Sequence, residues 1–376
     1  MEEYSNGINK PIRFVKCEHM KKILEKLRIY LKIQKAFLKD TDFFHVHNIN
    51  RNLWKSKFLN LLKSNDRRTE ELLNEFIKCD IRKISHNKII RKNKYAPILV
   101  CVLKDEINKI EGFLNHYRKI GVEVFIFLDN NSTDGTREYL CNQKDAIVYS
   151  SKQQYSSARR VAWINMLLAI YGKNRWCLVV DADELVDYIG SEMYTLSDIV
   201  KQAELNHYTR IEGFLLDMYS RDKLFDQKVK EDYVTRCRYF DRASYTLKIE
   251  ERGLAIFGGP RNRIFRRNVE LSKYPLFLFT EQDFYASAHY MVPFTNFKNC
   301  PVWLAIRHYK FVDDIDRQKI NSAVKTEIYS GNSADYKQYL KILEKNEDIC
   351  FWNRSQSVEI IDSYNLKEIK FLKTFI

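Results

Sequence analysis

Two carboxylates separated by one residue, Asp181 and Asp183, follow the apolar run Trp176-Cys177-Leu178-Val179-Val180. Side chains two apart on an extended segment point the same way, so the spacing predicts that both converge at the carboxyl end of a strand. Such a pair suits Mg²⁺ or Mn²⁺, hard cations that take oxygen ligands and share their remaining positions with substrate phosphates. A D-x-D triplet alone does not make a site, because solvated loop carboxylates produce the same pattern.

The elements upstream strengthen the reading. Pro97 to Leu103 predicts a fully buried strand, since Ile98 to Leu103 leaves no polar face, and Lys104-Asp105-Glu106 closes it. Ile107, Ile110, Leu114 and Tyr117 recur at helical spacing until Gly121 stops the helix. Val122 to Leu128 is a second apolar strand, and it ends in Asp129-Asn130-Asn131-Ser132-Thr133-Asp134-Gly135-Thr136. Strand, helix and strand in this order imply a right-handed parallel crossover, with Glu106 and Asp129 near one carboxyl edge, where open α/β sheets bind ligands. A short strand near Ala146 to Tyr149 and a helix carrying Val161, Ile164, Leu168 and Tyr171 lead into the strand that delivers Asp181 and Asp183.

Lys104-Asp105-Glu106, the turn from Leu128 to Thr136 and Asp181-Ala182-Asp183-Glu184 together resemble family 2 glycosyltransferases. Leu215-Leu216-Asp217-Met218-Tyr219, Tyr239-Phe240-Asp241, Gly258 to Phe265, Lys273-Tyr274-Pro275-Leu276, Ser287-Ala288-His289 and His308-Tyr309-Lys310-Phe311 extend the resemblance to a bacterial branch, over about residues 96 to 345. The chain departs from the family where Asp105 replaces the usual Asn and Asn131 the usual Gly, and Asn tolerates left-handed turn geometry.

The resemblance implies an α/β fold of GT-A nucleotide-sugar type, a mixed sheet flanked by helices, preceded by a helical extension. The expected divisions are a basic segment over 1–95, a catalytic domain over 96–345 and a closing helical segment over 346–376. It also implies a divalent-metal enzyme that moves a sugar from a nucleotide diphosphate, with a uridine-diphosphate sugar expected, to a saccharide or lipid-linked acceptor of a bacterial surface polysaccharide. On matching residues, Glu106, Asp129, Asn130 and Asp134 would form the donor pocket. Asp181 would face the ribose or a metal water, Asp183 would bind the metal, and His308 would be a further ligand. Each has a plainer reading: the turn residues as Asx caps and His308 as a packed core histidine.

Inverting sugar transfer needs a base within reach of the acceptor hydroxyl. Asp217, a lone acid in the run from Phe214 to Tyr219, is the leading candidate, since burial could raise its pKa; a buried acid bonded to backbone or arginine is the alternative. His289, Asp283 and Glu281 are the other candidates. Arg261 and Arg263 follow Gly258-Gly259, a backbone able to approach phosphate while guanidinium groups bind it in pairs, unless they are simply a charged loop.

With 376 residues and 45% hydrophobic content, the chain can hold one large catalytic domain and an extension. No run approaches the ~20 apolar residues that span a bilayer, and the start lacks a signal-peptide pattern. Eight scattered cysteines, some inside predicted strands, read as reduced core residues of a cytosolic protein. A net charge of +14 raises the rival of a nucleic-acid-binding protein, but no finger, basic-zipper or RNA-recognition signature accompanies it. A non-catalytic partner-binding domain is a second rival, and a nucleotidyltransferase would want a Gly-rich phosphate loop where Lys104-Asp105-Glu106 stands.

Near the amino terminus, Met20, Ile23, Leu24, Leu27, Leu31, Gln34 and Leu38 recur at helical spacing, and the other face of that helix carries Lys21, Lys22, Lys26, Arg28, Lys32, Lys35 and Lys39. This is the pattern of a segment that lies on an anionic membrane, at the inner face of the plasma membrane for a cytosolic protein; a helix packed on the catalytic domain is the expected alternative. A second helix is expected from Arg68 to Lys78, a basic linker from Ser85 to Lys94, and closing helices at Tyr336 to Glu344 and Leu366 to Leu372.

Overall fold

A computed structural model describes residues 11–38, 50–87, 93–225, 232–250, 253–293, 301–312, 314–326, 333–346 and 348–376. These fall into two compact units, residues 1–78 and 79–376.

The first unit comprises α1 (Pro11–Ala36), α2 (Arg51–Lys63) and α3 (Thr69–Ile77). Trp54 stacks on Phe76 with ring centroids 4.2 Å apart, and Phe58 packs between Phe37 and Phe76. Ile29 and Ile33 of α1 and Phe37 in the turn after it are buried, while Met20, Ile23, Leu24, Leu27 and Leu31 stay exposed. The helix was expected to bury that stripe or lay it on a membrane, and within this unit it is not buried. The physical reason is angular: the helix is apolar on two sides, and α2 and α3 meet the other one. Of Leu72, Leu73, Phe76 and Ile77, the apolar side chains expected to face inward from this helix, the first three are buried and Ile77 is half-buried; Lys39 lies outside the described residues.

The second unit is mixed α/β. Its strands are β1 (Arg82–Lys83), β2 (Ile98–Leu103), β3 (Val124–Asp129), β4 (Ala146–Ser150), β5 (Arg175–Val179), β6 (Glu184–Asp187), β7 (Arg210–Asp217), β8 (Tyr239–Asp241), β9 (Tyr245–Glu250), β10 (Gly253–Gly258), β11 (Ser272–Phe279), β12 (Phe284–Ser287), β13 (Tyr290–Val292), β14 (Val302–His308) and β15 (Ser357–Glu359). Nine of them form one sheet in the order β1-β4-β3-β2-β5-β11-β7-β14-β6. Strands β2, β3, β4 and β5 run parallel, and so do β7 and β14; β11 is antiparallel to both its neighbours and β6 to β14.

Helices α4 (Ile107–Lys119), α5 (Thr136–Cys141), α6 (Ser157–Tyr171) and α7 (Leu196–Leu205) connect the strands, as do the short α8 (Tyr233–Arg236) and α9 (Gly259–Phe265). Helices α10 (Asp314–Thr326) and α11 (Ser333–Leu343) follow the sheet. The predicted strand, helix, strand order is realised as β2, α4, β3, with Gly121 at φ +94° ending the helix turn. Every residue of β2, β3 and β7 is buried, which explains the apolar runs of β2 and of β3 up to Asp129.

The unit begins earlier than the expected boundary at residue 95, because β1 pairs with β4 and Asn87 bonds the Gln143 and Ala146 carbonyls. Residues 88–92 of the expected linker lie outside the described residues. At the other end, Leu366, Ile369, Leu372 and Phe375 join the main core. Their spacing of three is the period of a 3₁₀ helix, and one runs from Ser363 to Glu368 where an α-helix over Leu366 to Leu372 was expected.

Parallel pairing brings the ends of β2, β3, β5, β7 and β14 to one edge, and antiparallel pairing brings the starts of β11 and β6 there too. Asp105, Glu106, Asp129, Asp183, Asp217, Lys273 and His308 therefore share that carboxyl edge.

Candidate active site

The β7–β14 register sets His308 directly beside Asp217, and the β14–β6 register sets it opposite Glu184. His308 Nδ1 lies 2.7 Å from Asp217 Oδ1, and its Nε2 lies 3.5 Å from Asp183 Oδ2. Asp217 Oδ2 accepts from Arg261 Nε at 2.7 Å. The line Arg261, Asp217, His308, Asp183 thus runs from the interior to a carboxylate that is about a quarter exposed. The Asp183 loop is held by its own carbonyl, which accepts from the Tyr309 amide at 2.9 Å.

This arrangement reverses the expected chemistry of Asp217. Burial pushes its carboxyl up, but the Arg261 guanidinium and the His308 ring outweigh burial and hold it below the ordinary value. Both its oxygens are engaged in the interior. Asp217 is placed to fix the His308 ring, with Nδ1 as donor, and not to meet an acceptor hydroxyl. His308 is itself held above its ordinary pKa: burial lowers it, and the bonds to Asp183 and Asp217 more than compensate. Asp183 is driven well below its usual range, since the His308 contacts, Lys310 and Lys109 outweigh burial.

Asp181 does not converge with Asp183. The chain leaves the strand after Val179 and turns, with the Glu184 amide donating to the Asp181 carbonyl, so the alternation of an extended segment no longer holds. Asp181 instead takes Arg160 from α6 and Lys273 from β11, and these cations outweigh burial to bring it to about 2. Ligand atoms of Asp183, Glu184 and His308 lie within 4.8 Å of one another. Glu184, however, spends one oxygen on Lys273 and the other on the Asp181 amide, which leaves Asp183 and His308 as the open pair.

Sequence reasoning gave no role to Arg160 or Lys273. The available signal was Pro275 inside an apolar run: lacking an N–H, it sits where the β11–β7 register slips, beside the point where Lys273 reaches the acidic turn.

The other expected site residues divide. Glu106, Asp105, Asp134, Asn108, Lys109 and Lys319 line a cavity of about 250 Å³. Burial lifts Glu106 to about 7 despite Lys109 and Lys319, the latter 2.5 Å away on α10. Asp134 serves the Ile107 and Thr136 amides, and Asp105, at φ +52°, accepts from Thr133, so the two loops are laced together. Asp129 is fully buried and pairs with Arg137, while Asn130 donates to the Ser151 and Gln153 carbonyls; both hold the turn and offer no open face. Asn131 adopts φ +59°, the left-handed geometry expected of it.

Arg263 is bound to Asp241 and the Phe351 carbonyl, and Arg261 to Asp217, so neither is an open phosphate donor. Gly258, at φ +112°, lies where an added Cβ would strike the Ser244 carbonyl, so the glycine serves the β9–β10 hairpin and not a phosphate. Among the base candidates, Asp283 pairs with Arg210 at the far end of β7, and Glu281 pairs with Lys173 beside it. Both lie at the opposite edge of the sheet. His289 is at the carboxyl edge, part-exposed, with Nδ1 donating to the Ser272 carbonyl at 2.7 Å.

No known family profile matches the chain, and no curated protein resembles it at a significant level.

Proposed function

We propose that the chain is a divalent-metal-dependent glycosyltransferase of GT-A type, similar to family 2, that transfers a sugar with inversion from a nucleotide diphosphate to a saccharide or lipid-linked acceptor. One observation carries the reading: an acidic pair of motifs expected from sequence is joined by His308, and a buried carboxylate fixes the far nitrogen of that ring. Carboxylate behind imidazole is the common support of a metal-bound histidine, orienting the ring and raising its basicity.

The donor set fits a divalent cation. Asp183 offers an ionised oxygen, His308 offers Nε2 once that nitrogen is unprotonated, and a mixed O/N set suits Mn²⁺ as well as Mg²⁺ suits oxygen. Two protein ligands leave positions for a donor diphosphate. When bound, the metal would offset charge developing on the departing nucleotide. Around it the chain's own residues have distinct tasks. Asp217 and Arg261 hold the ring, Lys273 and Arg160 hold the Asp181 turn and add positive charge beside the diphosphate position, and the Glu106 cavity accepts the nucleoside. His289 replaces Asp217 as the base candidate, because it is part-exposed at the carboxyl edge whereas Asp217 is buried with both oxygens engaged.

A thermal-shift panel of nucleotide sugars, with and without Mn²⁺, tests the reading, since a ligand of the folded state raises the melting temperature. Stabilisation by a uridine-diphosphate sugar that requires the metal supports it. A panel with no metal-dependent shift, or a shift with nucleic-acid fragments alone, rejects it.

A further inference from the structure

The apolar stripe on α1 is a second, outward face of a helix whose inward face is already used. Ile29, Ile33 and Phe37 are buried, whereas Met20, Ile23, Leu24, Leu27 and Leu31 are each about half exposed, between 49% and 60%. At ~100° per residue these five side chains cover roughly a third of the circumference, on the side away from Ile29 and Ile33. Basic residues flank that arc. Arg28 and Lys32 are tied to Glu70 of α3, and Lys21, Lys26 and Lys35 are exposed at the borders of the stripe, while Lys22 is exposed on the other side of the helix. Residues 1–78 hold 17 Lys and Arg against 10 Asp and Glu, half of the chain's excess of +14.

A continuous apolar arc rimmed by lysines matches a lipid interface: the leucines enter the acyl boundary while the lysine stems reach up to anionic headgroups. A protein groove would be expected to offer acids to particular lysines, whereas this rim is spread along the helix with no fixed geometry. No helix among the described residues is long and apolar enough to cross a membrane, which leaves attachment in the plane of the surface. We infer that α1 docks the protein on an anionic lipid bilayer through Met20, Ile23, Leu24, Leu27 and Leu31, with Lys21, Lys26 and Lys35 as its electrostatic rim. The inference rests on α1 alone and stands or falls independently of the active-site reading.

The full-length chain is tested by co-sedimentation with phosphatidylcholine vesicles, with and without phosphatidylglycerol, at low and higher salt. Binding should require phosphatidylglycerol and weaken with salt. Each basic residue near an anionic surface multiplies the partition constant about five-fold, so Lys21→Gln, Lys26→Gln and Lys35→Gln together should lower it roughly a hundred-fold. Leu24→Ser, Leu27→Ser and Leu31→Ser together should lower it at least ten-fold, on the order expected for withdrawing three partly inserted side chains, and leave the vesicle-free melting temperature unchanged. Three results overturn the inference. One is a wild-type protein that ignores phosphatidylglycerol vesicles. Another is a serine variant that melts several degrees lower without vesicles, which would assign the stripe to packing inside the chain. The third is a dimer by light scattering that the serine substitutions dissociate, which would make a second copy the occupant.

Discussion

The two edges of the main sheet each bury an arginine against an aspartate, and they use the pair differently. At the carboxyl edge Arg261 holds Asp217, Asp217 holds His308, and His308 faces the part-exposed Asp183. At the other edge Arg210 holds Asp283 at 2.9 Å with both side chains almost wholly buried, and the remaining Asp283 oxygen caps the turn at Thr280. The second pair ends in backbone. A buried ion pair therefore says little about function by itself; what matters is whether its chain of bonds reaches an open ligand atom.

The largest expected effect falls on that open atom. Asp183→Asn should lower metal-dependent transfer by roughly 10³-fold or more, the several kcal/mol a metal contributes, while the melting temperature moves little because the side chain is part-exposed. Wild-type turnover in the variant, or turnover untouched by EDTA, would remove the site from the comparison.

Asp283→Asn should show the opposite profile. Breaking a buried pair from one side costs about 3–5 kcal/mol, so denaturant melts should shift strongly while the folded fraction keeps its donor affinity. A variant that folds normally and loses activity would place the chemistry at the wrong edge.

Glu106 gives a pH signature. Its folded value of about 7 lies above the ordinary 4.5, so between these values the folded state retains a proton that the unfolded state has lost. Stability should fall as pH rises through that window, by up to about 3 kcal/mol, and Glu106→Gln should flatten the slope. Equal slopes in wild type and variant would show that Lys319 and Lys109 neutralise the carboxylate fully.

Asp217→Asn should cost about 10–100-fold in metal affinity, as loss of support behind a histidine does, with the acid limb of the pH–rate profile retained. Loss of that limb would return Asp217 to the role of base. The smallest change is expected at Glu281→Gln, whose exposed pair with Lys173 contributes less than about 1 kcal/mol, with unaltered turnover. A marked drop in rate there would overturn the assignment of edges.

Much of the frame was legible because short-range rules govern it. The apolar runs of β2 and β3, the helical spacing of α4 and the stop at Gly121 need no knowledge of distant residues. Asn131 could be recognised as a left-handed turn residue for the same reason. The amino-terminal helix was legible as amphipathic, but its composition carries two apolar faces, and the sequence could not say which one α2 and α3 would cover.

The sequence by itself determined the strand, helix, strand order of β2, α4 and β3, the acidic ends of β2, β3 and β5, and the wealth of charge near residues 20 to 35. Tertiary structure alone decided which charges meet. Asp181 and Asp183 are neighbours in sequence, yet a turn separates them and awards Asp181 to Arg160 and Lys273. Asp217 and His308, 91 positions apart, are brought into contact by the parallel register of β7 and β14. Local spacing fixes the direction of a side chain only while the backbone stays regular; partners from distant strands are set by register and by the energetic need to pair every buried charge.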